Sequence, residues 1–355
     1  MIAHPDPDAV AAFVLDRAIA PPAVLPPGLL SRRILVTGAA GSIGSKLCAR
    51  LAAMEVACLV ALDRAENNIF RLARELGPRA NATVGDVCDA GLIEEIIARN
   101  SVDTVIHAAA YKHVPLMEEH PIEAVRNNVM GTWSVAGAAS RQGVGTVLLI
   151  STDKAANAKG IMGRTKRASE LIVAAAPVNH RGSIRLGNVL GSEGSVWTTF
   201  VEQIRAGLPV TITHPETYRY FVTSGEAVDF ILRTVSLVHQ GEIFVPEMGE
   251  PVRIIDFARR LGKAMGREIQ THVVGLRPGD KLLEDLKDDE TEFERSTDPG
   301  LHRIADGPGA WDEIDSWMRR LNGILAARDA VSASDWLAQF AAHFASSSAP
   351  YQPAR

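Results

Sequence analysis

One glycine-rich turn constrains the fold of this chain more than any other feature of its sequence. Gly38, Gly41 and Gly44 are each separated by two residues, and they follow the short apolar run Ile34–Thr37 and precede an amphipathic segment. Gly38 permits a tight turn, Gly41 lets the main chain approach a pyrophosphate, and Gly44 lets a helix pack closely on a sheet. The first turn of that helix offers unpaired N–H groups to phosphates. The turn therefore predicts a dinucleotide site, with purely structural glycines as the alternative.

Apolar runs and amphipathic segments alternate along the first 150 or so residues. The predicted strands are Ile34–Thr37, Ala57–Leu62, Ala82–Gly85, Thr104–Ala108 and Thr146–Ser151. The predicted helices between them are Ser42–Met54, Asn67–Leu76, Leu92–Arg99 and Ile122–Ser140. Alternation with short connections predicts an α/β fold of the Rossmann type, which is a doubly wound parallel sheet covered by helices on both faces.

After about residue 180 the pattern loosens, and strands at Ser183–Leu186 and Val210–Thr213 mix with helices at 198–206, 224–239 and 254–265. We expect four parts, which are an N-terminal helix and Pro-rich arm over 1–31, a dinucleotide-binding Rossmann domain over 32–182, a smaller mixed substrate-binding region over 183–310, and C-terminal helices with a disordered tail over 311–355. The arm, with a helix within 8–20, either packs on its own chain or forms an oligomer contact.

The composition is that of a globular protein, with 46% hydrophobic and 22% charged residues among 355. A net charge of -5 provides no basic surface and argues against a nucleic-acid partner. Prolines and charges interrupt the apolar N-terminal stretch, so we expect neither a membrane span nor a secretory signal, and a cytoplasmic protein. Cys48, Cys58 and Cys88 lack metal-ligand spacing, and we expect them to be small core residues with no metal site.

Polar and small residues after the first strands complete the predicted cofactor site. Asp63 ends the second strand, where a carboxylate accepts hydrogen bonds from the adenosine ribose, whereas Arg64 could face a 2′-phosphate. NAD is therefore favoured, and NADP remains the alternative. Asp86 follows the third strand, where it can receive the adenine amino group. The expected cofactor-binding residues are Gly38, Gly41, Ser42, Ile43, Gly44, Asp63, Arg64, Asp86, Val87, Ala108, Ala109, Ala110, Asn128 and Lys166.

The fifth predicted strand leads into an acid–amine pair, Asp153 and Lys154, preceded by Ser151 and Thr152. A pair of this kind at the carboxyl end of a central strand lies beside the expected nicotinamide, and an ordinary solvated turn is the alternative. In the following helix Met162 and Lys166 are four residues apart and share one face. These six residues, namely Ser151, Thr152, Asp153, Lys154, Met162 and Lys166, form the predicted catalytic set.

The glycine spacing resembles the short-chain dehydrogenase/reductase superfamily, and the run ISTDKAANAKGIMGRTKRASE resembles the CapD-like family of UDP-N-acetylglucosamine 4,6-dehydratases within it. Segments 108–132, 185–196, 209–228 and 277–286 are similar to the same family in the same order, so the resemblance covers about residues 32–305. Most of the superfamily has a proton-transferring tyrosine where this chain has Met162, but many members of the family also carry methionine.

Two positions depart from the family pattern. Asn157-Ala158 stands where Asn-Pro is usual, and Leu186 stands where phenylalanine is usual. Many relatives carry a long N-terminal membrane region, whereas this chain has the Pro-rich arm and resembles the short soluble form.

The resemblance implies that a UDP-sugar loses water across C5 and C6 to give a UDP-4-keto-6-deoxy-N-acetylhexosamine, with or without inversion at C5, for surface polysaccharide or glycan synthesis. Lys154 is the expected C5 base, so its pKa should fall from about 10.4 through burial and the Lys166 charge. Asp153 is the expected acid for the C6 hydroxyl. The group that takes the C4 hydroxyl proton is Asp153, or a water held by Ser151 or Thr152. Lys166 would hold the nicotinamide ribose, with Met162 packed near the sugar.

The substrate side is expected to draw on residues from several segments. Arg219 and Arg277 are candidates for the diphosphate, because a guanidinium pairs bidentately with phosphate. The full expected substrate set is Lys112 near the sugar, Asn188, Ser195 and Val196 near the diphosphate and base, Arg219, Arg277, and Glu284 at the uridine ribose. For each of these a loop-bracing role is the alternative.

Three further expectations concern Asn128, His107 and the assembly. Asn128 should bridge its helix to the strand with Ser151, His107 should be a core histidine at the end of a strand, and the superfamily habit implies a homo-oligomer. A nucleotide-sugar 4-epimerase, a 5,6-dehydratase on the same scaffold and a non-catalytic dinucleotide-binding regulator are the alternative functions.

Overall fold

A computed structural model of the protein describes residues 5–305 and 309–346. Its largest feature is one nine-stranded sheet, accompanied by three two-stranded ones. The strands are β1 (Arg33–Thr37), β2 (Cys58–Asp63), β3 (Asn81–Val84), β4 (Thr104–His107), β5 (Thr146–Thr152), β6 (His180–Leu186), β7 (Asn188–Val189), β8 (Val210–Ile212), β9 (Tyr218–Arg219), β10 (Phe221–Val222), β11 (Gln240–Pro246), β12 (Val252–Arg253), β13 (Thr271–Val273), β14 (Glu294–Arg295) and β15 (Leu301–Ile304).

Helices cover both faces of the large sheet. They are α1 (Pro7–Leu15), α2 (Ser42–Ala53), α3 (Glu66–Leu76), α4 (Ala90–Asn100), α5 (Val114–Glu119), α6 (Pro121–Ala124), α7 (Gly131–Arg141), α8 (Ile161–Ala175), α9 (Val196–Ala206), α10 (Ser224–Val235), α11 (Ile254–Ala264), α12 (Trp311–Ala326) and α13 (Ala330–Ser346). Within the part of the chain that the structure describes, none of these helices is long and apolar enough to cross a membrane.

The large sheet has the order β14-β15-β11-β6-β5-β4-β1-β2-β3, and its strands from β3 to β11 are parallel. The order 3-2-1-4-5-6 within it is that of a doubly wound Rossmann sheet, so the predicted fold class is confirmed. The expected domain boundary at residue 182 falls inside β6, and β11 continues the sheet beside that strand. The sheet therefore extends beyond the boundary, because the connection from β6 to β11 returns a parallel strand from the C-terminal half.

The long helix predicted over Ile122–Ser140 is not one regular helix. Between α6 and α7 the chain forms a π-helical turn, Val125–Met130. Asn128 lies in this turn, where its side chain accepts a hydrogen bond from the Tyr111 amide at 2.7 Å and donates one to the Tyr111 carbonyl at 3.0 Å. Wide turns of this kind often occur at functional sites, and apolar periodicity does not reveal them.

The N-terminal arm packs on its own chain. Ala11, Val14 and Leu15 of α1 are buried in an apolar cluster with residues of α9 and α11. Beyond the helix, Arg17 donates to the Glu226 carboxylate at 2.7 and 2.8 Å, which anchors the Pro-rich segment to α10. Of the two alternatives for the arm, the structure therefore matches the one in which the arm packs on its own chain.

Two C-terminal helices pack against α8 through aromatic side chains. Trp336, Phe340 and Phe344 of α13 are buried in the same cluster as Leu171 of α8. The helices expected over 311–345 are therefore present as α12 and α13, while residues 347–355 of the expected tail lie outside the described part. All three cysteines are free thiols, and Cys48 is buried whereas Cys58 and Cys88 are half-buried.

Candidate active site

A cleft at the carboxyl ends of the central strands encloses about 510 Å³ including its open mouth. A Cβ on Gly38, whose φ is +67°, would lie 2.6 Å from the Ala109 amide, and one on Gly44 would lie 2.1 Å from the Gly38 carbonyl. No side chain fits at either position, so the main chain alone forms this wall. The cleft is lined by Gly38, Gly41, Asp63, Arg64, Gly85, Val87, Ala108, Ala109, Ala110, Tyr111 and Asn127. These residues fit a dinucleotide, with the N-terminus of α2 open to its phosphates.

The end of the cleft that follows β2 carries charges of both signs, Asp63 and Arg64. The Asp63 carboxylate accepts hydrogen bonds from the amides of Ala40 at 3.0 Å and Ala65 at 2.9 Å, so it braces the glycine turn. The Arg64 guanidinium lies 4.5 Å from the ring centre of Tyr111 and donates to its hydroxyl. Tyr111 is a lining residue that the sequence reasoning missed.

A second glycine-containing segment, 191–195, lies over the beginning of α2. The Glu193 amide donates to the Ser42 hydroxyl at 3.0 Å, and the imidazole of His113 packs against Gly194. Ser195 then precedes Val196, the first residue of α9, and its hydroxyl is buried with no partner among the described residues. The expected diphosphate-binding residues Ser195 and Val196 are thus next to the expected cofactor residue Ser42.

The predicted acid, Asp153, lies in a single 3₁₀ turn directly after β5 and is fully buried. Its Oδ1 accepts hydrogen bonds from the Thr152 hydroxyl at 2.8 Å and from Lys154 Nζ at 2.9 Å. Its Oδ2 is buried and has no partner within the described residues. A buried carboxylate oxygen without a partner is costly unless a ligand satisfies it.

Three oxygens surround the Lys154 amine. Besides Asp153, the Asn188 side-chain oxygen lies 3.3 Å from Nζ and a Glu284 carboxylate oxygen lies 3.6 Å from it. Burial lowers the pKa of Lys154, but the two carboxylates outweigh burial and the net direction is upward. The expectation of a lowered pKa was wrong, because it weighed burial and the Lys166 charge but not the attraction of Asp153, and because Glu284 was not expected to face the amine.

Met162 and Lys166 both lie on α8, as predicted. Met162 is 3% exposed and lines a small cavity that it shares with Lys154, Glu284 and Val114. The buried Lys166 amine donates to the Ile150 carbonyl at 2.6 Å, and burial lowers its pKa to about 8. The methionine therefore lies on the part of α8 that lines a cavity together with Lys154.

Two polar residues face other partners than the sequence predicts. The Ser151 hydroxyl donates to Glu170 at 2.6 Å, so it does not point toward the sugar site. Asn128 contacts Tyr111 and donates to the Thr165 hydroxyl at 2.9 Å, and it does not bridge to Ser151. In both cases the actual partner comes from α8 or from the loop after β4, which strand-and-helix patterning cannot position.

His107 is a buried core histidine, as expected. Its ring nitrogens lie 2.7 Å from the Thr37 hydroxyl and 3.1 Å from the Thr132 hydroxyl. Burial lowers its pKa to about 3, so the imidazole stays neutral near pH 7. It therefore supports the strand ends beneath the cleft as an uncharged side chain.

A buried ion cluster lies behind the loop 153–160, called the catalytic loop here because it carries the predicted acid and base, and the sequence did not predict this cluster. Arg185 of β6 is fully buried and binds Glu170 of α8 through two hydrogen bonds of 2.9 Å. The same guanidinium donates to Asp288 at 3.0 Å, and Asp288 accepts from the Asn157 amide at 2.8 Å. Asn157 has a φ of 42°, so the cluster holds the catalytic loop in a left-handed turn. The sequence offers one indication of this cluster. Arg185 lies within the strand β6 and Glu170 within the helix α8, and a charged residue inside a buried element indicates a buried partner of opposite charge.

Some of the expected substrate residues are buried and hydrogen-bonded to main-chain carbonyls, whereas others are exposed. Arg219 is 9% exposed, and its guanidinium donates to the carbonyls of Tyr218, Lys281 and Leu282. Arg277 is half-exposed and bonds Asp280, and Lys112 is exposed. Lys281, which was not predicted, is buried and donates to the Ala156 carbonyl at 2.8 Å, so it ties the C-terminal segment to the catalytic loop.

Most of the chain matches a known protein family. Residues 34–305 match the family described as "Polysaccharide biosynthesis protein". The chain is 42% identical to the capsular polysaccharide biosynthesis protein CapD of Staphylococcus aureus over 271 residues, which are 73% of this chain and 45% of CapD. It thus spans about half the length of that relative. It is 35% identical to the inverting UDP-N-acetylglucosamine 4,6-dehydratase of Campylobacter jejuni, over 71% of this chain and 76% of that one.

A third relative is an epimerase. The chain is 32% identical to the UDP-glucose 4-epimerase of Rickettsia felis, over 78% of this chain and 83% of that enzyme. Among solved structures, Pen from Bacillus thuringiensis matches with a TM-score of 0.71 and 27% identity, over 78% of this chain and 87% of that one. The dTDP-glucose 4,6-dehydratase DesIV of Streptomyces venezuelae shares the fold, with a TM-score of 0.65 and 23% identity over 72% of this chain and 88% of DesIV.

Proposed function

The chain belongs to the polysaccharide biosynthesis family, whose relatives include nucleotide-sugar dehydratases and epimerases, and from this membership we propose that it is an NAD-dependent 4,6-dehydratase of UDP-N-acetylglucosamine. The observation that carries the proposal is the ion pair between the buried Asp153 and the half-buried Lys154, which are 2.9 Å apart at the end of β5, with Lys154 next to Met162. An elimination needs both an acid and a base, whereas simple carbinol oxidation does not need the pair.

The cleft supplies the groups that would hold the cofactor. The N-terminus of α2 would bind the diphosphate, Asp63 the adenosine ribose and Lys166 the nicotinamide ribose. The negative charge of Asp63 disfavours a 2′-phosphate, which is the reason to propose NAD, although Arg64 lies nearby. A bound nicotinamide dinucleotide supplies a hydride acceptor that gives the hydride back within each cycle.

The acid and the base can be generated together by one proton movement. Lys154 is charged at neutral pH because its pKa is raised by the carboxylates that outweigh its burial. Transfer of one proton from Lys154 Nζ to Asp153 Oδ1 yields a neutral amine for C5 and a protonated acid for the C6 hydroxyl. Exclusion of water by a bound sugar favours this neutral form, because a buried charge pair loses its hydration. The raised pKa is therefore compatible with the proposed roles.

The diphosphate of the substrate fits the region where α9 begins. The Ser195 hydroxyl there lacks a partner among the described residues. The first turn of α9 also has unpaired amides, which can donate hydrogen bonds to phosphate oxygens. Asn188, which contacts Lys154 at 3.3 Å, would bridge this region to the reacting sugar. Arg277 is half-exposed and free to turn from Asp280 toward phosphate.

The test is to replace each member of the pair. Asp153→Asn and Lys154→Ala should each lower formation of the 4-keto-6-deoxy product by about 10²–10⁴-fold, which is the usual contribution of a positioned acid or base. Product is read by NMR in deuterated water, where a C6 methyl group and deuterium at C5 identify the reaction. Lys263→Ala, at an exposed lysine of α11, is the control. Normal turnover in both variants would overturn the assignment.

A 4-epimerase is the second candidate, because the Rickettsia relative carries that name. An epimerase returns the hydride to C4 and keeps the C6 hydroxyl, so it has no use for an acid at C6. The same NMR experiment separates the two functions, since the C4 epimer shows no C6 methyl signal.

A further inference from the structure

Glu284 is a buried carboxylate that the proposed mechanism leaves without a task. It is 4% exposed, and its Oε1 lies 3.6 Å from Lys154 Nζ and 3.6 Å from Arg219 Nε. Both separations exceed hydrogen-bond distance, and in the described part of the chain no group donates a hydrogen bond to this carboxylate. The two cations offset the cost of burying this charge, and the carboxylate keeps its capacity to accept a hydrogen bond from a ligand hydroxyl.

The carboxylate lines the cavity in which the proton acceptor for the sugar is missing. Glu284 shares that cavity with Met162 and Lys154. Oxidation of a carbinol carbon releases the proton of its hydroxyl, and a thioether cannot accept it at neutral pH. The uridine ribose was the expected partner of Glu284, but its contact with Lys154 places it at the reacting end of the site.

The other candidates for this proton are engaged elsewhere. The Ser151 hydroxyl donates to Glu170, so it does not hold a water at the sugar. Asp153 Oδ2 has no partner among the described residues, but in the proposed mechanism Asp153 already carries the proton that the C6 hydroxyl needs and cannot accept a second one. Glu284 is the remaining carboxylate that lines the cavity.

Building on the proposed function, we propose that Glu284 is a catalytic residue that accepts the proton of the C4 hydroxyl of the sugar. The C4–H electron pair leaves as hydride to the nicotinamide dinucleotide, the O–H electrons form the C4 carbonyl, and the proton binds Glu284. A chain of two contacts, 3.6 Å from Glu284 to Lys154 and 2.9 Å from Lys154 to Asp153, links this carboxylate to the acid.

The proton count closes over one turnover. The sugar gives one proton from the C4 hydroxyl to Glu284 and one from C5 to Lys154. It receives one from Asp153, which leaves in the water formed from the C6 hydroxyl, and one from Lys154 at C5. Transfer from Glu284 to Lys154 then restores the starting charges, so no external acid or base is consumed.

The experiment compares Glu284→Gln with Asp285→Asn, the same chemical change at a neighbouring side chain that is 42% exposed. Two reactions are followed by NMR, which are turnover of UDP-N-acetylglucosamine and solvent deuterium exchange at C5 of the 4-keto product. The exchange needs the C5 base but no oxidation at C4. Bound dinucleotide, affinity for UDP by calorimetry and thermal unfolding show that each variant is folded and loaded.

We expect Glu284→Gln to lower turnover by about 10²–10⁴-fold and to keep C5 exchange within a few-fold of wild type. Lys154→Ala should lose both reactions, and Asp285→Asn should keep both. Turnover of Glu284→Gln equal to that of Asp285→Asn overturns the inference, as does an equal loss of turnover and exchange, which would mark a residue that only positions Lys154. If the wild-type protein forms no 4-keto product, the proposed function itself fails.

Discussion

The dinucleotide side of the cleft and its sugar side are built from different kinds of atoms. The proposed dinucleotide side has a main-chain wall, formed by glycines that have no room for a Cβ and by the N-terminus of α2, with Asp63, Arg64 and Tyr111 at its edge. The sugar side consists of charged side chains that long-range contacts hold in place. Arg185 and Asp288, for example, meet across 103 residues of sequence.

This difference determines what each side can tolerate. A wall of main-chain atoms is insensitive to the charge of its surroundings but cannot accommodate an added side-chain atom. A set of buried ions depends on every partner, because removal of one leaves the others uncompensated in a medium of low dielectric. Three substitutions test this contrast, beginning with the largest expected effect.

Arg185→Met should lower the free energy of unfolding by about 3–5 kcal/mol, because it leaves Glu170 buried beside the Ser151 hydroxyl without its bidentate partner. Chemical denaturation measures the loss. The double variant with Glu170→Leu should recover part of it, since the buried Glu170 charge is removed together with its partner, while Asp288 and Arg167 each lose one contact. Arg319→Met, at an arginine that is 71% exposed, should change stability by under about 0.5 kcal/mol. A loss below about 1 kcal/mol for Arg185→Met would contradict the contrast.

Gly44→Ala should cost about 1–3 kcal/mol and remove the bound dinucleotide, because its Cβ would lie 2.1 Å from the Gly38 carbonyl. The measurements are the dinucleotide content of the purified protein and its free energy of unfolding. Gly28→Ala is the matched control, since a Cβ there meets nothing within 4 Å. Full dinucleotide content in Gly44→Ala would show that the turn is not built as tightly as described.

Asp288→Asn should have the smallest effect, about 1 kcal/mol at pH 7. Burial raises the pKa of Asp288, but Arg185, Arg167 and the Asn157 amide outweigh it and the net direction is downward. A carboxyl group whose pKa is lowered on folding stabilises the protein above its unfolded pKa of about 3.9, and that contribution is lost as the pH falls through the folded value. The difference in unfolding free energy between wild type and variant should therefore stay nearly constant from pH 7 to about pH 5 and narrow as the pH falls through about 4 and below. If the difference in unfolding free energy stays constant down to low pH, the charge of Asp288 is not the source of the stability that the variant loses.

Local patterns sufficed for the first half of the fold. Apolar runs and glycine spacing predicted β1, β2, β4 and β5 to within a residue or so, because a strand buried on both faces must be apolar throughout. The same patterns could not show the π-helical turn at Val125–Met130, which follows from the hydrogen bonds between Asn128 and Tyr111. They also could not show that β11 extends the sheet past residue 182.

The candidate site divides in the same way. Asp153, Lys154 and Met162 could be named from the sequence. Asp153 and Lys154 directly follow one strand, and Met162 shares a helix face with Lys166. The neighbours of Lys154 could not be named, since Asn188 and Glu284 reach it from β7 and from the segment that follows β13. The direction of the Lys154 pKa was consequently wrong, as the sum of burial and nearby charges depends on distances.

The sequence by itself determined the Rossmann sheet, the dinucleotide turn and the identity of the acid–amine pair, because each of these depends on residues that are neighbours in the chain. Only the tertiary structure decided which charges face the Lys154 amine, that Ser151 and Asn128 face other partners, and that Glu170, Arg185 and Asp288 brace the catalytic loop. Electrostatic interactions act through space and depend on burial, so residues distant in the sequence set the chemistry of this site.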